Sequence, residues 1–266
     1  HADDSTAKGW IEMAGALKIP VVDFQHSQMS RDNILYTYSQ THRPRRLPTL
    51  SDAIFTFAEY WNGLYSLPVP RISVGFPYLE AKTKELKSSG PRGLNTFLVI
   101  SSMHSGKTLE LLVLDLARKL PSSTIIYKLR SEEYGRWRET RSPAFGSTNN
   151  IHVVDNDTVP LYELFRQSTY QIGINSTALI EGMAFDLKTF IVKHGYYFEM
   201  SDLIQRGFVT LVESADDILA ALQAPHLISS PPPAASLFKS DSLQNVAREV
   251  RNIVASAHQC KKDGLP

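Results

Sequence analysis

Residues 170–192 read YQIGINSTALIEGMAFDLKTFIV, and the order of residue types within them decides the fold. The apolar run at 170–174 reads as a buried strand. It breaks at Asn175, Ser176 and Thr177, a helical pattern follows from 178 to 185, and a second β-rich run covers 189–192. This is a strand–helix–strand unit with small hydroxyl residues where strand becomes helix. The first N–H groups of a helix lack intrahelical partners and the helix dipole adds partial positive charge, so the junction suits a phosphate. Glu181 falls four residues after Thr177, on the same helix face one turn deeper. Leu179, Ile180, Met183 and Ala184 flank it, so its face is partly buried and its carboxylate needs a partner. A phosphate at 175–177 with a carboxylate one turn away points to a nucleotide whose ribose hydroxyls meet Glu181. The plainer alternative is a capped helix, since Ser and Thr are ordinary N-caps.

Outward from this unit, strands and helices alternate. Strands are expected at 96–100, 124–128, 151–154, 170–174, 189–193 and 208–212, with helices at 109–120, 160–167 and 214–222 between them. That alternation is the signature of a parallel sheet with helices on both faces. Earlier, strands are expected at 19–24, 53–58 and 71–75, with helical patterns around 10–17 and 59–65. The polar stretch KSSGPRG at 87–93 marks a break. The chain therefore divides into a partial acceptor-side α/β domain at 1–90 and a complete Rossmann-like, nucleotide-sugar-binding domain at 91–266. Three strands are fewer than the five or six of a doubly wound domain. The first part is thus expected to be unusually short, or to be the later half of a domain completed by a missing N-terminal portion or partner chain. A Pro-rich loop at 229–235 precedes a last helical segment at 243–257.

Composition narrows the function. Lys and Arg number 28 against 27 Asp and Glu, a formal charge of +1, which argues against nucleic acid as the main partner. The one cysteine, Cys260, excludes an internal disulfide and any cysteine-based zinc site. The eight histidines have no metal-ligand spacing, so no metal site is expected. No apolar run is long enough for a transmembrane segment, and the opening HADDSTAKGW lacks the basic and apolar regions of a signal peptide. A cytoplasmic protein is expected, or one held peripherally at the inner membrane face.

Three further motifs could carry chemistry. The strand at 96–100 leads into SSMHSGKT, which places Gly106, Lys107 and Thr108 as in a phosphate-binding loop but puts Ser101 where that loop needs its first glycine. With the apolar run ending at Asp155, this keeps a P-loop-like NTPase among the alternatives. Lys128 and Arg130 lie at the carboxyl end of a parallel strand, where open α/β sheets bind ligands. They would neutralise a phosphate at the Ser176 turn, or else be solvated charges balanced by Glu132 and Glu133. His26, just past a strand end, is a candidate catalytic base. Gln25, Ser102 and His104 are candidate cleft residues, and Arg43, Arg45 and Arg46 form a basic loop that could meet an anionic acceptor.

Four segments resemble those of GT-B-fold bacterial glycosyltransferases. IPVVDFQHS resembles the "IP-hydrophobic-QHG" strand end of their N-terminal domain, and AIFTFAEYWNGLYSLPVPRISVGFPYLE the "VGxP" segment that follows. IIYKLRSEEYGRW is similar to their "KxHPxE" strand end, and IGINSTALIEGMAFDLKTFIV to the "NSTxxxEAxxxGxPxI" segment that binds donor phosphate and ribose. The order is right, and together the segments span most of residues 11–193. Such proteins include surface-polysaccharide transferases, sialic-acid and Kdo transferases and teichoic-acid polymerases, and sugar-nucleotide 2-epimerases share the architecture. The resemblance implies a metal-independent glycosyltransferase without a cofactor, its substrates a nucleotide-sugar donor and a glycan or lipid-linked glycan acceptor. It implies phosphate and nucleotide contacts at Lys128, Arg130, Asn175, Ser176, Thr177 and Glu181, with His26 catalytic. A 2-epimerase-like enzyme and a non-catalytic nucleotide-sugar-binding domain are the other readings. Two departures stand out: Ser27 replaces the glycine after the histidine, and Arg130-Ser131 replaces the His-Pro pair.

Overall fold

The computed structural model describes residues 5–32, 37, 49–86, 93, 95–102 and 105–262. The basic loop of Arg43, Arg45 and Arg46, residue His104 and the expected break at 87–93, apart from Gly93, lie outside the described residues. The chain forms two compact units, His1–Ala81 with Ala235–Pro266, and Lys82–Ala234.

The second unit is built on six strands: β4 (Thr96–Ile100), β5 (Thr124–Lys128), β6 (Ile151–Val154), β7 (Tyr170–Gly173), β8 (Lys188–Val192) and β9 (Thr210–Val212). Their order is β6-β5-β4-β7-β8-β9, and every pairing is parallel. All five residues of β4 are buried, as are four of five in β8, which is the mark of strands covered on both faces. The helix Gly106–Lys119 supplies one cover. Leu109, Leu112, Val113 and Leu116 follow the spacing of one helical face and enter the core beside Val99, Tyr127 and Ile172. Each such leucine contributes about 1.5–3 kcal/mol by leaving water.

The first unit holds β1 (Val22–Phe24), β2 (Ala53–Thr56) and β3 (Arg71–Ser73), in a parallel three-stranded sheet ordered β1-β2-β3. β1 starts later than the expected residue 19 because Lys18 takes a positive φ and Pro20 has no N–H for a ladder. The segment from Ala235 onward, which the sequence division gave to the second domain, groups with this unit instead. Its hydrogen bonds give the reason. Trp61 Nε1 donates to Leu237 O (2.8 Å), Lys239 N to Phe57 O (2.8 Å) and Asn245 Nδ2 to Val74 O (3.2 Å). The carboxylate of Glu80 accepts from Asp241 N (3.1 Å) and Ser242 N (2.8 Å), where the helix Ser242–Lys262 begins. A carboxylate at that end meets unpaired amides and the positive end of the helix dipole.

Candidate functional site

The chain enters the second sheet at β4, moves outward through β5 and β6, then returns to β7 on the other side of β4. Connections leave these two neighbours in opposite directions, which opens a crevice at their carboxyl ends, the usual ligand site of such sheets. β4 ends into Ser101 and Ser102; β7 ends into Ile174, Asn175, Ser176 and Thr177.

Ser176 is the N-cap of the helix Thr177–Met183, with φ −74° and ψ 139°, and its Oγ accepts from Ala178 N at 3.3 Å. The helix is held to the sheet by a residue that sequence reading passed over. Gln171, fully buried in β7, donates through Nε2 to Leu179 O (2.6 Å) and to Thr189 Oγ1 (2.8 Å). Its Oε1 rests against Gly182, where a Cβ would overlap it. Gly182 is required by that approach.

Glu181 stands one turn into this helix and is partly buried. The hydroxyl of Tyr162 donates to its Oε2, and among the described residues this is the carboxylate's only hydrogen-bond partner. Burial pushes the Glu181 carboxyl pKa up, opposed by the Tyr162 hydrogen bond. A half-buried carboxylate with one oxygen unclaimed is what a hydroxylated ligand would complete.

The opposite wall is a buried ionic network. Arg141 pairs with Glu133 at 2.5 Å, lies 3.9 Å from Glu110, and reaches Ser101 Oγ at 3.4 Å. Glu110, wholly buried, accepts from Ser142 N (2.9 Å) and Lys107 Nζ (3.1 Å). Burial works against ionisation there, yet these donors hold its carboxyl pKa below the usual range. The Arg141 guanidinium packs on the face of Gly106 that lacks a Cβ. Burial also pushes the Tyr127 hydroxyl up to about 12, so it stays a neutral neighbour of Ser101. The lysine and glycine of the P-loop-like stretch are thus tied into a structural network. Asp155 is engaged as well, accepting from Trp137 Nε1 (2.8 Å) and Arg138 Nη1 (3.3 Å).

The other candidates fall in several places. Lys128 Nζ donates to the Tyr134 hydroxyl, to Asn156 O (2.7 Å) and to Asp157 Oδ1 (3.2 Å), so its three protons already have acceptors. Arg130 is exposed, with Glu132 at 3.5 Å. Asn175 Nδ2 donates to Glu199 Oε2 at 2.9 Å. In the first unit Gln25 is buried and structural, its Oε1 accepting from Phe57 N (2.9 Å) and its Nε2 donating to Ser27 O (3.1 Å). That clamp presents His26, exposed, beyond the end of β1. Among the described residues no cluster of three His, Cys, Asp or Glu could hold a metal ion, and no helix is long and apolar enough to cross a membrane.

Among solved structures, the chain is similar to UDP-GlcNAc 2-epimerase from Neisseria meningitidis bound to UDP-GlcNAc, with TM-score 0.65 and 15% identity over 95% of this chain and 74% of that one. It is similar to S. aureus MnaA in a co-structure with UDP, with TM-score 0.62 and 12% identity over 96% of this chain and 80% of that one. The wall teichoic acid polymerase TagF is matched with TM-score 0.51 and 9% identity over 90% of this chain and 69% of that one. No family model and no curated protein sequence matches the chain. The fold is GT-B-like α/β, with a complete Rossmann-like parallel sheet in the second unit, a fold shared with sugar-nucleotide enzymes.

Proposed function

We propose that this chain is a metal-independent glycosyltransferase that binds a nucleotide sugar at the β4/β7 crevice and passes the sugar to a glycan or lipid-linked glycan acceptor. Glu181 carries this reading: a half-buried carboxylate of raised pKa, with one oxygen unclaimed among the described residues, one helical turn from the Ser176 cap at the sheet's switch point. In this role Glu181 accepts from ribose hydroxyls, and the backbone N–H groups at 176–177 with Asn175 meet the phosphates. Arg130 supplies an exposed guanidinium, whose planar fork suits a phosphate as well as the histidine it replaces in the resembling segments. His26 takes the proton of the acceptor hydroxyl as its oxygen bonds to the anomeric carbon. The bond from that carbon to the phosphate oxygen breaks, and the nucleotide leaves with its electron pair, stabilised by preorganised donors. The synthesis of surface polysaccharide is the setting proposed, and Arg130-Ser131 in place of a His-Pro pair departs from the CMP-sugar pattern.

A second reading, a sugar-nucleotide 2-epimerase, draws on the higher TM-score with the UDP-GlcNAc 2-epimerase from Neisseria meningitidis, 0.65 against 0.51 for TagF. Incubation with a panel of nucleotide sugars separates the two. A transferase consumes donor productively only when a glycan acceptor is present, whereas inversion at C2 without acceptor establishes the epimerase. Binding without either reaction marks a non-catalytic domain.

Glu181→Gln keeps the size and an acceptor for Tyr162 but removes the charge. Hydrogen bonds to charged groups are worth about 1.5–3 kcal/mol, so nucleotide affinity should fall about ten- to a hundredfold by calorimetric titration. Unchanged affinity in the folded variant removes Glu181 from the site. The pH dependence has a definite sign. Because the folded-state pKa is raised, the unfolded chain ionises first as pH rises, and stability relative to acid pH is lost through that window. The free Glu181→Gln protein should therefore melt higher than the parent near neutral pH and no higher below the ordinary glutamate range. Nucleotide binding runs the other way, weakening in the parent as pH falls through the raised pKa and losing that dependence in the variant.

A further inference from the structure

β8 runs into the stretch Gly195–Met200, which is fastened to both walls of the crevice. On the β4 side, Thr108 Oγ1 and His194 Nε2 share a hydrogen bond at 3.2 Å, and Gly195, at φ +55°, lies against Ser105 Oγ. On the β7 side, Glu199 accepts from Asn175 at the phosphate turn. Within this stretch Met200 is buried and Tyr197 packs on the core, whereas Tyr196 and Phe198 turn outward, 53% and 40% exposed. Their ring centroids are 5.8 Å apart at an interplanar angle of 58°. Neither ring belongs to the packed core of the sheet.

The direction of the ligand follows from the two ends of the site. Glu181 reaches back to Tyr162, on the helix Leu161–Gln167 beside β4. Asn175 faces forward, to Glu199 beyond β8. A nucleotide with ribose on Glu181 and phosphates at 175–177 therefore sends its far end toward the segment after β8. That far end is the sugar, whose ring C–H face is apolar and whose hydroxyl edge is polar.

We propose that Tyr196 and Phe198 form the platform on which the donor's sugar ring stacks, so that this pair distinguishes a nucleotide sugar from the bare nucleoside diphosphate. The proposal rests on the nucleotide site described above. Aromatic faces desolvate the C–H side of the sugar at little entropic cost, since each ring has only two side-chain torsions.

The test is calorimetric titration of the whole chain with UDP, CDP and GDP, each alone and as its hexose conjugate. The parent should bind one conjugate more tightly than the matching diphosphate. In Tyr196→Ala/Phe198→Ala that margin should disappear, a loss of about tenfold for the conjugate with the diphosphate unchanged. Tyr196→Leu/Phe198→Leu, which keeps apolar bulk without a flat face, should lose the margin too, and carries the test where the alanine variant shows no cooperative melting transition. Equal loss for conjugate and diphosphate, or no loss in either variant, overturns the platform. A parent that binds conjugates no better than diphosphates overturns it while leaving the nucleotide site standing. A parent that binds none of the panel overturns the nucleotide site, and the platform with it.

Discussion

Ser176→Pro is expected to abolish nucleotide binding in a protein that still folds. Ser176 already has φ −74°, within the range of the proline ring, so the backbone at the cap needs little adjustment. What is lost is the N–H of residue 176 and the Oγ that accepts from Ala178 N. Loss of the cap costs about 1 kcal/mol, a fall of about 2–4 °C in Tm for a unit of this size. Binding suffers far more. A hydrogen bond to a charged phosphate is worth about 1.5–3 kcal/mol, and the ring occupies the space through which phosphate oxygens approach. Affinity should drop by more than about a hundredfold. Ser176→Ala is the control: it loses the same cap, keeps the N–H, and should retain most of the binding. Near-normal nucleotide affinity in Ser176→Pro would falsify the placement of the phosphates.

Lys107→Ala should change nucleotide affinity by less than about tenfold, because its ammonium is paired with Glu110 and the remaining charge is screened by solvent. A P-loop NTPase demands the reverse ranking, since there the lysine contacts the terminal phosphates and magnesium is required. Magnesium-dependent ATP binding that disappears in Lys107→Ala would displace the glycosyltransferase reading.

The strands at 96–100, 124–128 and 151–154 coincide with β4, β5 and β6 because each is a compact β-rich run bounded by turn residues. That signal is local to each run, which is why they were legible. The helix Pro77–Leu86 escaped notice, although Pro77 at its first position and Leu79 and Leu86, buried and seven apart, were usable signals. For Glu181, the sequence showed that a partner was needed; it did not show that Tyr162 was that partner. The Arg141 network left no trace in local pattern, because Glu110 and Ser101 lie far from it in sequence, and Glu133, eight residues away, meets it only through the irregular turns after β5. Gln171 was hidden for the opposite reason. A glutamine inside an apolar run looks like an interruption, and its value lies in the Leu179 carbonyl and Thr189 hydroxyl it reaches across two elements.

The VGFP segment shows the same division between what is local and what is not, and it yields the last expected result. Gly75 has φ +94°, which a side chain rarely adopts, and an added Cβ would overlap both Lys239 O and Ser242 Oγ. The glycine is therefore a passage point for the C-terminal segment, whose crossing could not be read near residue 75. Gly75→Ala should cost about 1–3 kcal/mol through backbone strain alone, and the overlap with a carbonyl and a helix N-cap region adds to it. A fall in Tm of at least about 2–10 °C follows. Strain of this kind is relieved by releasing the segment, so amide hydrogen exchange should accelerate at 237–245, where Lys239 N, Ser242 N and Asn245 Nδ2 are tied to Phe57, Glu80 and Val74. Glu80→Gln tests the same anchor from the other side: it keeps an acceptor oxygen but removes the charge at the helix N-terminus, a smaller loss of about 0.3–1 kcal/mol. If Gly75→Ala leaves both Tm and exchange at 237–245 unchanged, the C-terminal segment does not pass over this glycine in solution.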